Sequence, residues 1–149
     1  MKRLLAMLAG AFVLPLHAAG DAPRIVTLTQ VACQFLESEG GRNLGYRATK
    51  AADCEEINAR TAKQRLSQAN PLQLAPGKYV FRVTNRDVPY PLGFWLRGAS
   101  LVERARLPRV SGGGLAAGAT LDYAVELKPG RYVFSCPLNP TPDYALIVK

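Results

Sequence analysis

One six-residue pattern occurs twice in the chain, as PGKYVF at 76–81 and as PGRYVF at 129–134. In both copies a Pro-Gly pair, which is typical of turns, precedes residues that alternate between polar and apolar. Because successive side chains of a strand point to opposite faces, each copy predicts a strand with one buried, aromatic face. The buried faces consist of Tyr79, Phe81 and Val83 in the first copy and of Tyr132, Phe134 and Cys136 in the second. Together with the other short strands described next, these two half-buried strands favour a β-sandwich or a small barrel.

Further strands are predicted on both sides of these copies. Their ranges are 24–31, 92–98, 101–107, 120–127 and 144–149. The glycine-rich segment 111–118 is interpreted as a loop, because predicted strands continue on both sides of it. Short strands with frequent Gly and Pro between them predict an all-β fold in a single domain.

One helix is predicted over 53–68. It begins at Asp53, and Glu56 follows three residues later, which is the spacing of a capping box. Its apolar residues approximate one face, so the helix is expected to lie on the sandwich. These residues are Cys54, Ile57, Ala62, Leu66 and Ala69.

Residues 1–20 have the order of a secretory signal peptide, with two basic residues, an apolar run and then small residues. Cleavage there predicts a domain over 21–149 that is exported, with the bacterial periplasm as the expected compartment and no membrane span after cleavage. Both methionines and the single histidine lie within 1–20. The exported form is therefore expected to contain neither residue type.

The chain is basic, with a formal net charge of +8, but it shows no nucleic-acid-binding motif. The basic residues are scattered apart from a looser group at Arg97, Arg104, Arg106 and Arg109. We interpret this group as a solvated basic face, with docking onto an acidic partner or an anionic surface as the alternative. No nucleic-acid partner is expected, and a periplasmic protein is the expected kind of partner.

The predicted strand directions bring three loops to one end of the sandwich. The loops are 86–91, 111–118 and 137–143, and Cys136 is expected to point inward beneath them. Loops on a rigid β scaffold commonly carry binding function. The predicted loop-end binding surface consists of Tyr90, Leu92, Trp95, Asn139, Asp143 and Tyr144.

Residues 72–148 resemble the cupredoxins, the blue-copper fold of exported electron carriers. The resemblance rests on YVFRVTNRDVPYPLGFWL, on GATLDYAVELKPGRYVFSC and on the final strand YALIVK. It implies a cupredoxin-like Greek-key β-sandwich to which the helix after the first strand has been added. Cys136 matches the copper-ligand cysteine, whereas Leu92 and Asn139 stand where the two ligand histidines would be. Because neither residue replaces imidazole and no methionine follows, no blue-copper centre is expected.

The three cysteines allow several arrangements. In an oxidising compartment two of three commonly pair, and Cys33–Cys54 is the preferred disulfide, with a bridge from either of them to Cys136 as the rival. Cys136 is then a small buried apolar residue or a redox thiol. A further alternative is a soft-metal site in which Cys33, Cys54 and Cys136 bind Cu(I) as thiolates. No cofactor is otherwise expected.

Enzyme signatures are weak in this sequence. Without histidine in the exported form there is no Ser-His or Cys-His pair, so catalysis is not expected. The leading hypothesis is a non-catalytic binding or accessory module that acts through the loop end near Cys136. The alternative is a periplasmic carrier of Cu(I) or another soft metal.

Overall fold

The computed structural model describes residues 22–149, so the predicted signal peptide lies outside the described residues. Within 22–149 the chain forms nine strands, two α-helices and a short 3₁₀ helix. The strands are β1 Arg24–Val31, β2 Gln34–Phe35, β3 Leu72–Leu74, β4 Gly77–Asn85, β5 Leu92–Gly98, β6 Val110–Leu115, β7 Thr120–Leu127, β8 Gly130–Ser135 and β9 Tyr144–Val148. The helices are α1 Ala51–Gln68, α2 Leu101–Arg106 and the 3₁₀ helix Glu37–Glu39.

The strands form two packed sheets, which is the β-sandwich of the two architectures that the sequence left open. One sheet has the order β2-β1-β4-β7 and the other the order β3-β9-β8-β5-β6. β1 runs parallel to β4 and β3 runs parallel to β9, while the other neighbours are antiparallel. Aromatic rings join the layers, since Phe94 stacks on Phe81 with 5.4 Å between ring centroids, and Phe35 meets Phe134 edge to face at 5.3 Å.

Both Pro-Gly pairs begin a strand, as predicted. β4 starts at Gly77 and β8 at Gly130, where the backbone has φ values of 138° and 157° that favour glycine. The aromatic residues that follow face the core, because Tyr79, Phe81, Tyr132 and Phe134 are all buried. The alternation in the sequence therefore identifies the inner faces of these two strands correctly.

Helix α1 is present but differs from its prediction at its start and on its buried face. It begins at Ala51, and the Asp53 carboxylate accepts the backbone N–H groups of Thr49 and Lys50 at 2.8 and 3.2 Å. Asp53 therefore lies within the first turn of α1 and does not precede it. From this position its carboxylate pairs with backbone N–H groups just before the helix. The buried residues of the helix are Cys54 and Arg65, whereas Leu66 is exposed.

The predicted strand at 101–107 is wrong, because these residues form helix α2. The Ser100 hydroxyl accepts the Glu103 N–H at 3.2 Å, and the Glu103 carboxylate accepts the Ser100 N–H at 3.0 Å. This is a capping box of the Ser-x-x-Glu type. The capping box therefore favours a helix here, although the alternation of apolar and charged residues had indicated a strand.

The predicted loop at 111–118 is also wrong over most of its length. Strand β6 occupies Val110–Leu115 and pairs with β5 in an antiparallel arrangement. Its glycines permit a close approach, since a Cβ atom on Gly93 of β5 would lie 2.7 Å from the Gly112 carbonyl oxygen. Small residues at this edge are thus a requirement of packing and not a sign of an irregular loop.

Neither helix within 22–149 combines the length and the apolar character that crossing a bilayer requires.

Candidate functional site

The ends of four strands define the site opposite the Pro-Gly turns. β4 ends at Asn85, β5 begins at Leu92, β6 ends at Leu115, and Cys136 follows directly after β8. The buried Asn85 joins these ends: its Nδ2 donates to the carbonyls of Val88 and Leu115 at 3.1 and 3.2 Å, and its Oδ1 accepts the Val88 N–H at 2.9 Å. Asn85 is absent from the predicted surface, and it holds the loop after β4 in a fixed position.

Cys136 is buried and carries a free thiol. Its Sγ accepts the backbone N–H groups of Gly93 at 3.3 Å and Asn139 at 3.2 Å. Burial raises the pKa of the Cys136 thiol, although these amide hydrogen bonds act in the opposite direction. The thiol is therefore protonated at neutral pH and lacks the thiolate character of a reactive cysteine.

Asn139 is fully buried, and hydrogen bonds occupy both ends of its amide. Its Oδ1 accepts the Cys33 N–H at 2.8 Å, and its Nδ2 donates to the Val31 carbonyl at 2.9 Å. A side chain that satisfies buried backbone groups in this way stabilises the fold. In this structure Asn139 braces the end of β1 against the loop that follows Cys136.

Gln30 makes a second connection across the same region. Its side-chain amide donates to the Gly93 carbonyl at 2.8 Å, and Gln30 itself is fully buried. Gly93 thus receives one hydrogen bond from Gln30 and donates another to Cys136. Sequence reasoning did not identify Gln30, because a glutamine in a strand of mixed polarity has no motif that marks it as buried.

The residues around Cys136 do not fit a copper ion. Leu92 is apolar and fully buried, and the Asn139 carboxamide is already engaged with two backbone groups. Among residues 22–149 no three side chains of the His, Cys, Asp or Glu type converge as a metal site would require. A trigonal copper site needs two imidazoles and one thiolate, and of these three ligands only the sulfur of Cys136 is present at this position.

The structure confirms the Cys33–Cys54 disulfide, whose two cysteines have a sequence separation of 21. The Cys54 sulfur lies 3.1 Å from Asn139 Oδ1, and this is a packing contact because a disulfide sulfur carries no proton. The bridge joins α1 to the end of the first sheet next to Asn139. Since Cys33 and Cys54 are consumed in this bond, the structure does not supply the three thiolates of the alternative Cu(I) site.

A buried ionic cluster lies between α1 and the sandwich. The Arg65 guanidinium forms a salt bridge to Glu39 at 2.6 Å and donates to the Cys33 carbonyl at 2.9 Å and the Tyr144 hydroxyl at 3.1 Å. The Tyr144 hydroxyl also donates to the Glu39 carboxylate. Burial, reinforced by this bond to Glu39, raises the pKa of Tyr144 well above its ordinary value. Sequence reasoning missed the cluster because it treats arginine and glutamate as solvated.

The predicted binding surface therefore needs correction at three residues. Leu92, Asn139 and Tyr144 have relative exposures of 0, 0 and 1 %, so they support the loop end from beneath and present no surface. Each lies in the core or satisfies buried polar groups, which the sequence pattern did not indicate.

Three other residues of that prediction reach the outside to different extents. Tyr90 is half-buried, and its buried hydroxyl has no hydrogen-bond partner within 22–149. Asp143 is exposed and forms a salt bridge to Arg97 at 2.8 Å. Trp95 is 36 % exposed, and the Arg97 guanidinium lies 3.7 Å from the centroid of its ring. This cation–π contact, together with the Arg97–Asp143 pair, holds the indole in place.

An apolar groove lies beside Trp95. Its volume is about 330 Å³, and Leu138, which is 45 % exposed, also lines it. We define the loop-end surface by the exposed residues that line this groove. They are Trp95, Ser111, Gly112, Gly113, Pro137 and Leu138. Pro137 and Leu138 belong to the predicted loop 137–143, although the sequence did not single them out as individual surface residues.

No protein-family model and no curated protein matches this sequence. Solved structures do match in their fold. Auracyanin B, a cupredoxin, superimposes with a TM-score of 0.53 at 11 % sequence identity, and the match covers 88 % of this chain and 93 % of auracyanin B. Residues 22–149 therefore have the cupredoxin β-sandwich fold.

Two further solved structures match with lower TM-scores. A mutant of amicyanin matches 53 % of this chain and 69 % of its own at 16 % identity, with a TM-score of 0.36. A multi-copper oxidase from Pediococcus acidilactici matches 95 % of this chain at 9 % identity with a TM-score of 0.40, and this chain covers 29 % of that enzyme.

Proposed function

We propose that this chain is a non-catalytic, exported binding module that uses a cupredoxin fold to dock a partner protein through its loop-end surface. The observation that carries the proposal is the pair of large apolar side chains, Trp95 and Leu138, which are both exposed and line one groove. Tryptophan is one of the residue types that are enriched among the hot spots of protein interfaces.

The supports beneath this surface favour binding over chemistry. Cys136 is buried as a neutral thiol, and Asn139 is committed to backbone groups, so neither offers a reactive atom to the groove. Trp95 is held by Arg97, and the loop that carries Leu138 is tied to the sheet through Asn139. A surface whose side chains are already ordered loses little entropy when a partner binds.

Site-specific photocrosslinking in the periplasm of the native host tests the proposal. A photoreactive phenylalanine analogue replaces Leu138 in one variant and Leu121 in a control, since Leu121 is similarly exposed at 38 % but lies on β7 of the other sheet. We expect a discrete adduct from position 138 that position 121 does not form, and its loss when Trp95→Ala is added. Equal adducts from both positions, or an adduct at 138 that Trp95→Ala leaves unchanged, would contradict the proposal.

A further inference from the structure

A second exposed surface lies at the opposite end of the sandwich, where the Pro-Gly turns are. Helix α2 connects β5 to β6 there, and Leu101 and Val102 in its first turn are 81 % and 64 % exposed. These are the two most exposed large apolar side chains of residues 22–149. Neither contributes to the core, and the loop-end surface does not include them.

Basic residues surround this apolar pair. The segments 101–109 and 128–131 contain five basic residues and one acidic residue. The two segments are in contact, because the Arg131 N–H donates to the Glu103 carboxylate at 3.2 Å and Leu107 packs against Gly130. We define the α2 tip by the apolar pair and these basic side chains. Its residues are Leu101, Val102, Arg104, Arg106, Arg109, Lys128 and Arg131.

The positive charge of the α2 tip is not neutralised locally. None of its basic side chains forms a salt bridge with another residue of 22–149. The one acidic residue, Glu103, directs its carboxylate to the backbone N–H groups of Ser100 and Arg131. On the helix surface Leu101 and Arg104 are three residues apart and Val102 and Arg106 four apart, so apolar and basic side chains are direct neighbours.

The tip is also firmly held by the sandwich. Gly98 allows α2 to approach β5 closely, since a Cβ atom there would lie 2.3 Å from the Glu103 backbone. The Ser100–Glu103 capping box fixes the first turn, and Arg104 Nε donates to the Gly98 carbonyl at 3.3 Å. The apolar pair is therefore presented in one orientation.

We infer that the α2 tip docks on an anionic phospholipid membrane, with Leu101 and Val102 entering the headgroup boundary while the flanking arginines contact lipid phosphates. Exposed aliphatic side chains flanked by Arg combine the two contributions that bind a protein surface to an anionic membrane, which are burial of apolar area and attraction to charged lipids. A protruding pair also needs a complementary pocket on a protein partner, but a fluid lipid surface adapts to it.

This surface lies away from the loop-end surface, so a membrane and a protein partner can be bound together. β5 runs from the loop end at Leu92 to the α2 end at Gly98, and β6 returns from Val110 to Leu115. The inference does not depend on the proposed function, because it rests on different residues and a different ligand.

Vesicle sedimentation with protein comprising residues 21–149 tests the inference. The probes are phosphatidylcholine vesicles with and without anionic phosphatidylglycerol. We expect binding only to the anionic vesicles, and a decrease as salt is raised. Arg106→Gln with Arg109→Gln should weaken binding about 25-fold, from about fivefold for each charge. Leu101→Ser with Val102→Ser should weaken it about tenfold or more.

Matched variants at the loop end serve as controls. Arg47→Gln with Arg86→Gln removes two exposed charges near that end, and Leu121→Ser removes an exposed apolar residue, so both should bind anionic vesicles like the unsubstituted protein. Urea unfolding checks that every variant is folded. Equal binding to both kinds of vesicle, or controls that lose as much affinity as the tip variants, would overturn the inference. Binding to soluble polyaspartate but not to anionic vesicles would overturn it too and identify an acidic protein site instead.

Discussion

Replacing Asn139 with alanine tests whether this residue acts as a structural brace. In Asn139→Ala the Cys33 N–H and the Val31 carbonyl both lose their partner in a fully buried region. Each buried polar group without a partner costs about 1–3 kcal/mol, so the expected loss in the free energy of unfolding is about 2–6 kcal/mol. Such a loss is a large fraction of the total stability of a small domain, which is about 5–15 kcal/mol.

Urea unfolding with the disulfide intact measures this loss, and Asn43→Ala is the matched control. Asn43 also accepts a backbone N–H through Oδ1, from Gly45 at 2.8 Å, but it is exposed to solvent. Water replaces the lost partner there, so the control should lose less than about 1 kcal/mol. If Asn139→Ala is no more destabilising than Asn43→Ala, then Asn139 is not the brace that the hydrogen bonds indicate, and the explanation for its presence beside Cys136 fails.

Three further outcomes are expected. Removing the disulfide with Cys33→Ser and Cys54→Ser together should lower the free energy of unfolding by about 3 kcal/mol in denaturant titrations, and an unchanged midpoint would contradict its structural role. Without reductant, Ellman titration should find no reactive thiol in the native protein and one per chain after unfolding, because Cys136 is buried with a raised pKa. A thiol that reacts at once in the native state would be incompatible with this site. Because folding raises the pKa of Tyr144, its hydroxyl loses its proton just above the ordinary tyrosine pKa in the unfolded chain but not in the folded one. The free energy of unfolding, measured in denaturant titrations, should therefore decrease as pH rises through that range. In Tyr144→Phe it should decrease less steeply with pH. Equal slopes for the two proteins would show that Tyr144 does not contribute to this pH dependence.

The sequence predicts the sandwich well where burial alternates along a strand. Tyr79, Phe81, Tyr132 and Phe134 face the core as their spacing indicates, and strands β1, β5 and β7 have the predicted bounds. The errors occur where a local interaction or a close contact decides the conformation. The capping box of Ser100 turns an alternating segment into helix α2, and close packing against Gly93 turns a glycine-rich segment into strand β6.

The site was predicted less completely than the fold. The resemblance to the cupredoxins places Leu92 and Asn139 where the two ligand histidines would be. It does not indicate that the Asn139 amide forms hydrogen bonds with groups more than a hundred residues away along the chain. The buried salt bridge between Arg65 and Glu39 could not be predicted from the sequence either, because only the tertiary fold excludes water from it. Long-range hydrogen bonds of buried polar side chains leave no periodic signal, whereas apolar faces do.

Copper analysis of the protein purified from its native host, combined with its visible absorption spectrum, tests the central claim most directly. That claim is that Leu92 and Asn139 prevent a copper ion from binding beside Cys136. The loop end then serves to bind a partner and not a metal. We expect copper far below one ion per chain and no intense visible band when cupric ion is added. One tightly held copper per chain with an intense visible band would contradict the account.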